Sequence, residues 1–397
     1  MPQTIHVAKP QAAPLPMDLW SRLRRGFMFA QCDDARVKRW IGRYARNPDV
    51  FRRQMSRALP RFRYVSNIMM GAGLPAEFAL LPWVESNFRP LRTHGNRAAG
   101  IWQIMPATGR ELGLRIDRHY DGRLDLDQSS RAVARMLWRD RKMLDSWKLT
   151  DMAFNAGVYR IRRLSKDLDP SAPPQAIPDL DLHAVTLNHL AKLQALSCIV
   201  KRPARYGITL PAADSGPHLI RRRLPKVLEI PVAARLAGLS TSTLRELNPA
   251  FLEHDQPAEA MMLPARSLDD FNRNYTTLER LDWQQWQRVR LKKPGTLLSL
   301  AHDKPKRARA LALVNKRQAT RALPPNSTLW LPMNLVAALP DDMRAPLGSA
   351  PRHYTVRAGD SLWGIAHRFH LRVSEIRDWN SLPGSLLHLG QVLILEP

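Results

Sequence analysis

The sequence predicts an α+β multidomain protein, a mainly α-helical first half followed by small βααβ modules, and three observations carry that reading. Up to Pro211 apolar residues recur at helical spacing, as in Val37, Trp40, Ile41 and Tyr44, then Phe51, Met55 and Leu59. Beyond Pro211 the pattern changes to short strands and short helices. One unit, strand, helix, helix ending in Asn, closing apolar strand, occurs three times, which makes Asn248, Asn315 and Asn380 equivalent. With 397 residues, 44% hydrophobic and 24% charged, the chain is globular and long enough for two or three domains.

Residues 1–18 hold no signal-peptide apolar core and no membrane-spanning run. Residues 19–70 read as N-terminal bracing helices, because their Trp, Tyr and Met positions suit a helix interface. A basic amphipathic helix lying on a membrane is the alternative. A second helical domain is expected over 71–212, with further helices near 128–145, 149–165 and 182–202, closed by the turn-rich KRPARYGITLPA.

The stretch from Gly73 to Gly113 organises the rest. Pro75 suits a first helical turn, and Glu77 sits where the positive end of a helix dipole favours a carboxylate. Phe78, Ala79, Leu80, Leu81, Trp83 and Val84 leave no polar face, so a helix buried on all sides is expected. Glu85 should lie in its last turn, since Pro90 prevents much continuation. Apolar surroundings and the negative end of the dipole would both raise the pKa of that carboxyl and suit it to donate a proton. A Gly-rich turn, Gly95 to Gly100, leads to Ile101, Trp102 and Gln103 and then to a helix start at Ala107 to Thr108. Asp121 and Asp125, in YDGRLDLDQSS, read as turn and cap residues rather than catalysts.

The Glu85-Ser86 pair, GIWQIMPATG and the FNAG of Phe154 to Gly157 together resemble the lytic transglycosylases with the goose-type lysozyme fold. That resemblance implies a lysozyme-like domain in which one carboxylate, Glu85, protonates the glycosidic oxygen between N-acetylmuramic acid and N-acetylglucosamine. Glu85 then deprotonates the muramyl 6-hydroxyl, which closes a 1,6-anhydro ring. The same resemblance implies substrate contacts from Ser86, Gln103 and Asn155, and an apolar cleft wall from Ile101 and Trp102. Three positions depart from the family pattern: Phe154 stands for a tyrosine, His94 for a serine that steadies the carboxylate, and His189 for a later tyrosine. These three are expected in the substrate site, and they motivate the alternative of a catalytically weakened peptidoglycan-binding scaffold.

Residues 353–397 alternate as a strand at Tyr354 to Val356, turn at Gly359-Asp360, and enter a helix capped by Asp360 or Ser361. GDSLWGIA, WNSL and LGQVL in this segment resemble a LysM domain. That resemblance implies N-acetylglucosamine binding near Gly359, Asp360, Ser361, Leu362, Pro383 and Gly384. Trp363 and Trp379 are read as core or solvent-side residues. Two earlier segments, 226–264 and 286–333, read as degenerate LysM-like units without the Gly-Asp turn, and Pro-rich 336–352 as a linker.

The formal charge is +26, from Lys+Arg 61 against Asp+Glu 35, which calls for a polyanionic partner. The basic residues are dispersed and the aromatics sit in apolar runs, so nucleic acid is not the expected partner. Peptidoglycan strands, whose stems carry carboxylates, are. Membrane association stays open, and a monomer is the default state. The substrate places the chain in the bacterial periplasm, with association to the outer membrane as an extension of that reading. No cofactor and no metal is expected. Cys32 and Cys198 have the option of a bridge, but Cys198 stands in the apolar run Leu196 to Val200 and is read as a small core residue.

Overall fold

The computed structural model describes residues 18–93, 95–168, 178, 180–252, 257–279, 285–345, 353–369, 371, 373–380, 382 and 384–395. Before the first strand the chain forms α1 (Leu19–Gly26), α2 (Ala35–Ala45), α3 (Pro48–Gly71), a 3₁₀ turn (Ala76–Leu80), α4 (Leu81–Ser86) and α5 (Pro106–Glu111). There follow α6 (Leu126–Leu144), α7 (Trp147–Ala156), α8 (Val158–Leu164) and α9 (Ala184–Lys201). The expected helix 149–165 is two helices, because Gly157 at φ 89° breaks it. By Cα packing the chain divides into two compact units, Met1–Val84 with Leu137–Gly216, and Glu85–Met136 with Pro217–Pro397.

In the first unit α1, α2, α3 and α7 start at the side-chain caps Asp18, Asp34, Asn47 and Ser146. The periodic residues Val37, Ile41, Phe51, Met55 and Leu59 are buried, and so is nearly the whole of α9 from Leu190 to Val200. The N-terminal helices are fastened to the end of this unit. Trp20 Nε1 donates to the carbonyl of Pro211 at 2.8 Å, and Arg63 Nη2 to those of Ala213 and Ser215 at 2.9 and 2.8 Å.

Two expectations are corrected here. Cys198 is not a free core thiol: it is bridged to Cys32, a disulfide that spans 166 residues of sequence. Cys198 is indeed buried, but it lies on the α9 face that meets the Ala30–Asp34 segment, a long-range pairing that sequence spacing does not show. The all-buried helix around Glu77 is likewise different. A 3₁₀ turn precedes α4, and Glu77 is fully buried within it. Its Oε1 accepts from the N–H groups of Met28 and Phe29 at 2.9 and 2.7 Å, while its Oε2 has no hydrogen-bond partner among the described residues. Burial pushes this carboxyl up to about 7, against the opposing pull of those amides.

In the second unit the later strands and helices form β1 (Leu219–Glu229), α10 (Ile230–Leu236), α11 (Thr241–Leu247), β2 (Pro257–Pro264), α12 (Leu268–Glu279) and β3 (Trp286–Leu291). The chain continues through α13 (Leu297–Leu300), α14 (Pro305–Asn315), β4 (Thr328–Pro332), α15 (Met333–Ala338), β5 (Arg344–Ala345), β6 (His353–Thr355), α16 (Leu362–Arg368), α17 (Val373–Asn380) and β7 (Val392–Ile394). The pairs β1–β2, β3–β4 and β6–β7 are antiparallel, and β5 adds to the free edge of β3. Part of the expected 336–352 linker is therefore structured; 346–352 lie outside the described residues. The first two strand pairs share one apolar core from Leu224 to Leu339, and the last has its own around Ile365, Ile376 and Leu393.

The three asparagines hold one hydrogen-bond pattern. Asn248, Asn315 and Asn380 each donate from Nδ2 to the carbonyl four residues back, Leu244, Leu311 and Ile376, which ends the helix. Each also donates to, and accepts from, the backbone of the closing strand, at Met262, Trp330 and Ile394, with distances of 2.7–2.9 Å. One side chain thus ties the second helix to the sheet and leaves no polar atom idle.

Glu77 makes the stability of the fold depend on pH. Its native pKa of about 7 exceeds the ordinary carboxyl value, so between roughly pH 4.5 and 7 the native state binds more protons than the unfolded chain. Stability must then fall as pH rises through that window, by roughly 3 kcal/mol from this group alone. Thermal unfolding of the wild type and of Glu77→Gln across pH 5–8 should show a decline in the wild type that the variant lacks.

Candidate active site

Glu85 is the penultimate residue of α4 and is half-buried, not enclosed. The helix stops one residue later because Asn87 and Phe88 both take left-handed backbone angles, φ 52° and 59°. This is costly for side-chain-bearing residues, and it is held by the burial of the Phe88 ring, 1% exposed. Ser86 is also buried, and its Oγ donates to the carbonyl of Ile101 at 2.8 Å. Its hydroxyl therefore ties the Glu85 helix to the 97–104 loop.

That loop is a tight backbone knot. Gly100 N donates to the carbonyl of Leu91 at 2.9 Å, and Ala99 and Ile104 exchange two bonds at 3.0 Å. Gly100 sits at φ 80°, where a Cβ would lie 1.9 Å from the carbonyl oxygen of Arg123, so only glycine fits. Arg123, 3% exposed, fastens the loop from below. Its Nη1 donates to the carbonyls of Arg97 and Ile104 at 2.8 and 3.1 Å, and its Nε and Nη2 grip Asp121 at 3.0 and 2.7 Å. Gln103, at φ 48°, donates from Nε2 to the carbonyl of Gly100 at 2.7 Å, which leaves its Oε1 as the acceptor it can offer.

Ile101 and Trp102 do not line a cleft: they are 3% and 0% exposed. The Trp102 indole donates to Ser130 Oγ at 3.0 Å, so its role is to seat the loop on α6. Both were expected as walls from the family resemblance, and an apolar run does not itself say whether it faces a ligand or the core. The acids that follow Glu85 are largely committed. Asp117 accepts from the amides of His119 and Tyr120, and Asp121 is held by Arg123. Asp125 caps α6 through the amides of Asp127 and Gln128, and Asp127 is shared by Arg131 and Arg221.

In the other unit Phe154, Asn155 and His189 come together. His189 is 5% exposed, with Nδ1 3.1 Å from Oδ2 of the fully buried Asp151. Phe154 stacks on its ring at 6.2 Å between centroids, and Asn155 Oδ1 accepts from Thr186 Oγ1 at 2.8 Å. Asp151 was missed in the sequence. Its signal is a carboxylate inside the apolar turn of WKLTDMAF, which only a buried partner can explain. His94 and Pro383 lie outside the described residues.

At the C-terminal module Gly359 is exposed at φ 83° and Ser361, not Asp360, caps α16 by accepting from the amide of Gly364 at 3.0 Å. Asp360 instead accepts from Tyr354 OH and the Arg357 amide, which hold its carboxyl below the usual range, the hydroxyl first. Leu362 is 2% exposed and belongs to the core, so it offers no surface to a glycan. Gly384 is half-buried. Trp363 is 68% exposed, and Arg288 lies 5.3 Å over the ring of Trp379.

A helical unit that presents one glutamate at a helix end beside a Gly-Ile-Trp-Gln loop, joined to compact βααβ modules, defines a lytic transglycosylase with a lysozyme-like domain. Residues 67–170 match the model of the Transglycosylase SLT domain, and 354–396 that of the LysM domain. Over 378 residues the chain is 30% identical to membrane-bound lytic murein transglycosylase D of Escherichia coli (strain K12), which covers 92% of this chain and 82% of that one. The chain belongs to that family of lytic transglycosylases. It is also 30% identical over 151 residues, 37% of this chain and 72% of the other, to a putative tributyltin chloride resistance protein of Alteromonas sp. (strain M-1). Over 42 residues, 11% of this chain and 10% of the other, it is 43% identical to a probable N-acetylmuramidase of Lactococcus lactis subsp. cremoris (strain MG1363).

Gly100→Ala tests the loop. It combines a left-handed backbone angle with a backbone clash, and should cost about 3 kcal/mol or more in urea unfolding. Gly113→Ala, where no atom lies within 4 Å of the added carbon, should cost only the backbone angle, about 1 kcal/mol.

Proposed function

We propose that the chain cleaves the β-1,4 bond between N-acetylmuramic acid and N-acetylglucosamine in peptidoglycan, leaving 1,6-anhydro ends, with Glu85 as acid and then base. The observation that carries this is the Ser86–Ile101 bond, which holds the Glu85 helix against the Gly100–Gln103 loop, in a chain of this family. Glu85 gives its proton to the leaving oxygen as the C1–O4 bond breaks. It then takes the proton of the muramyl 6-hydroxyl while O6 bonds to C1. Glu85 ends as it began, and no water is consumed. An ordinary glycosidase needs a second carboxylate within about 5–9.5 Å. The commitment of Asp117, Asp121, Asp125 and Asp127 to caps and arginines supports a mechanism that does without one.

Gln103 Oε1 and Asn155 supply polar contacts to sugar hydroxyls in this reading, and Phe154 and His189 take the places of the two family tyrosines. The C-terminal module holds glycan at Gly359, Asp360, Ser361 and Gly384. In this reading the segments 226–264 and 286–333 are degenerate LysM-like units. In the second of them the backbones of Gly295 and Leu323 bond to each other. The substrate places the chain in the periplasm. The name of the Escherichia coli relative includes membrane-bound; among the described residues no helix is long and apolar enough to cross a membrane.

A weakened, glycan-binding scaffold is the second reading, favoured by the pairing of His189 with Asp151 in place of a free hydroxyl. Digestion of purified sacculi with wild type and Glu85→Gln, followed by mass analysis, separates the two. Anhydro muropeptides, one water lighter than hydrolysis products, should appear with the wild type and fall about 10²–10⁴-fold with the variant. Equal yields from both would refute the role of Glu85. No product from either, with the protein retained on the sacculi, would establish the scaffold.

A further inference from the structure

The Cys32–Cys198 bridge lines a surface cavity of about 620 Å³ with Asp33, Lys201, Arg202, Arg205 and Tyr206 among its walls. A second cavity of about 260 Å³ shares Cys32, Asp33, Arg205 and Tyr206 and adds Lys38. The charge around the bridge is unbalanced. Lys201, Arg202 and Arg205 are exposed, and none of the three has a carboxylate within 4.0 Å among the described residues. Of the two acids, Asp34 caps α2 through the amides of Arg36 and Val37, and Asp33 is exposed and lies 3.9 Å from Lys38, so four cations face two carboxylates. The two sulfurs differ in access. Cys198 is 1% exposed in α9, whereas Cys32 is half-buried on the segment between α1 and α2.

We propose that this cavity is a docking site for a small anionic thiol, which reduces the bridge by attack on Sγ of Cys32. The cations gather the anion and favour its thiolate, the species that attacks. The thiolate sulfur bonds to Cys32 Sγ, and Cys198 Sγ leaves with the electron pair and takes up a proton. A second thiol attacks the mixed disulfide, giving the Cys32 thiol and the dimerised, oxidised reagent, so two thiols supply the two electrons. Lys201 and Arg202 offset the negative end of α9, which would otherwise oppose the Cys198 thiolate. Reduction releases a segment with further fastenings: the amides of Met28 and Phe29 hold Glu77, and the amide of Gln31 donates to Gln194 Oε1 at 3.0 Å.

The test uses the oxidised full-length chain, with glutathione as the anionic probe and cysteamine as the cationic one, at equal thiolate concentration and low salt. Peptide mass mapping of acid-quenched samples follows the mixed disulfide. Glutathione should react about tenfold faster or more, with the adduct on Cys32 and the preference shrinking in about 0.5 M salt. The double variant Arg202→Glu, Arg205→Glu lowers the formal charge by only four from +26. A local site predicts that this change reverses the preference; attraction to the whole surface would leave it intact and overturn the proposal. If that variant does not fold, Arg202→Gln with Arg205→Gln should abolish the preference. Equal rates for the two thiols in the wild type, or an adduct on Cys198, would equally overturn it.

Discussion

Arg123 spends its guanidinium entirely inside the protein, and the candidate site depends on it. Two nitrogens hold Asp121, the third holds the carbonyls of Arg97 and Ile104, and the residue's own carbonyl lies where any side chain at Gly100 would have to go. A buried guanidinium is costly to desolvate and is tolerated only when its donors are satisfied. Here the partner charge and the loop carbonyls do so together. The knot they make carries Ile101, whose carbonyl receives Ser86, and so fixes the end of the helix that presents Glu85.

A second constraint seats the same helix from its other end. The 3₁₀ turn before α4 carries a carboxyl in a fully buried position, bonded to backbone amides of the segment that follows α1. That segment is in turn closed by the disulfide. The helix of the candidate catalyst is therefore held by polar groups taken out of water at both ends, with apolar packing such as Phe51 on Trp83 at 5.2 Å between them. Buried polar fastenings of this kind fix geometry more than they add stability.

Much of this was legible in the sequence. The helical spacing of Val37 to Leu59, the break of pattern after Pro211, and the repeated helix-ending asparagines all report local rules that the fold obeys. The place of Glu85 in the last turn of its helix and the capping role of Asp125 were legible for the same reason. What the sequence hid was long-range. Whether an apolar residue lines a cleft or fills a core is decided by what packs over it, so Ile101 and Trp102, expected by resemblance as cleft wall, are interior. The partners of Ser86, Cys198 and His189 lie 15, 166 and 38 residues away. Glu77 reads only as an acid favoured by a helix dipole, because nothing nearby reveals that the amides of Met28 and Phe29 bond to it.

The dependence of the site on Arg123 is tested most directly by the rate at which Asp121→Ala releases soluble muropeptides from sacculi, measured where circular dichroism shows the variant still folded. Removing one partner of a buried pair leaves the other uncompensated, a cost of about 3–5 kcal/mol that falls on the loop. The expected rate is at least about tenfold below wild type, with retention on sacculi unchanged, because the C-terminal module has its own core. A wild-type rate from the folded variant would show that Glu85 is positioned without the Arg123 knot.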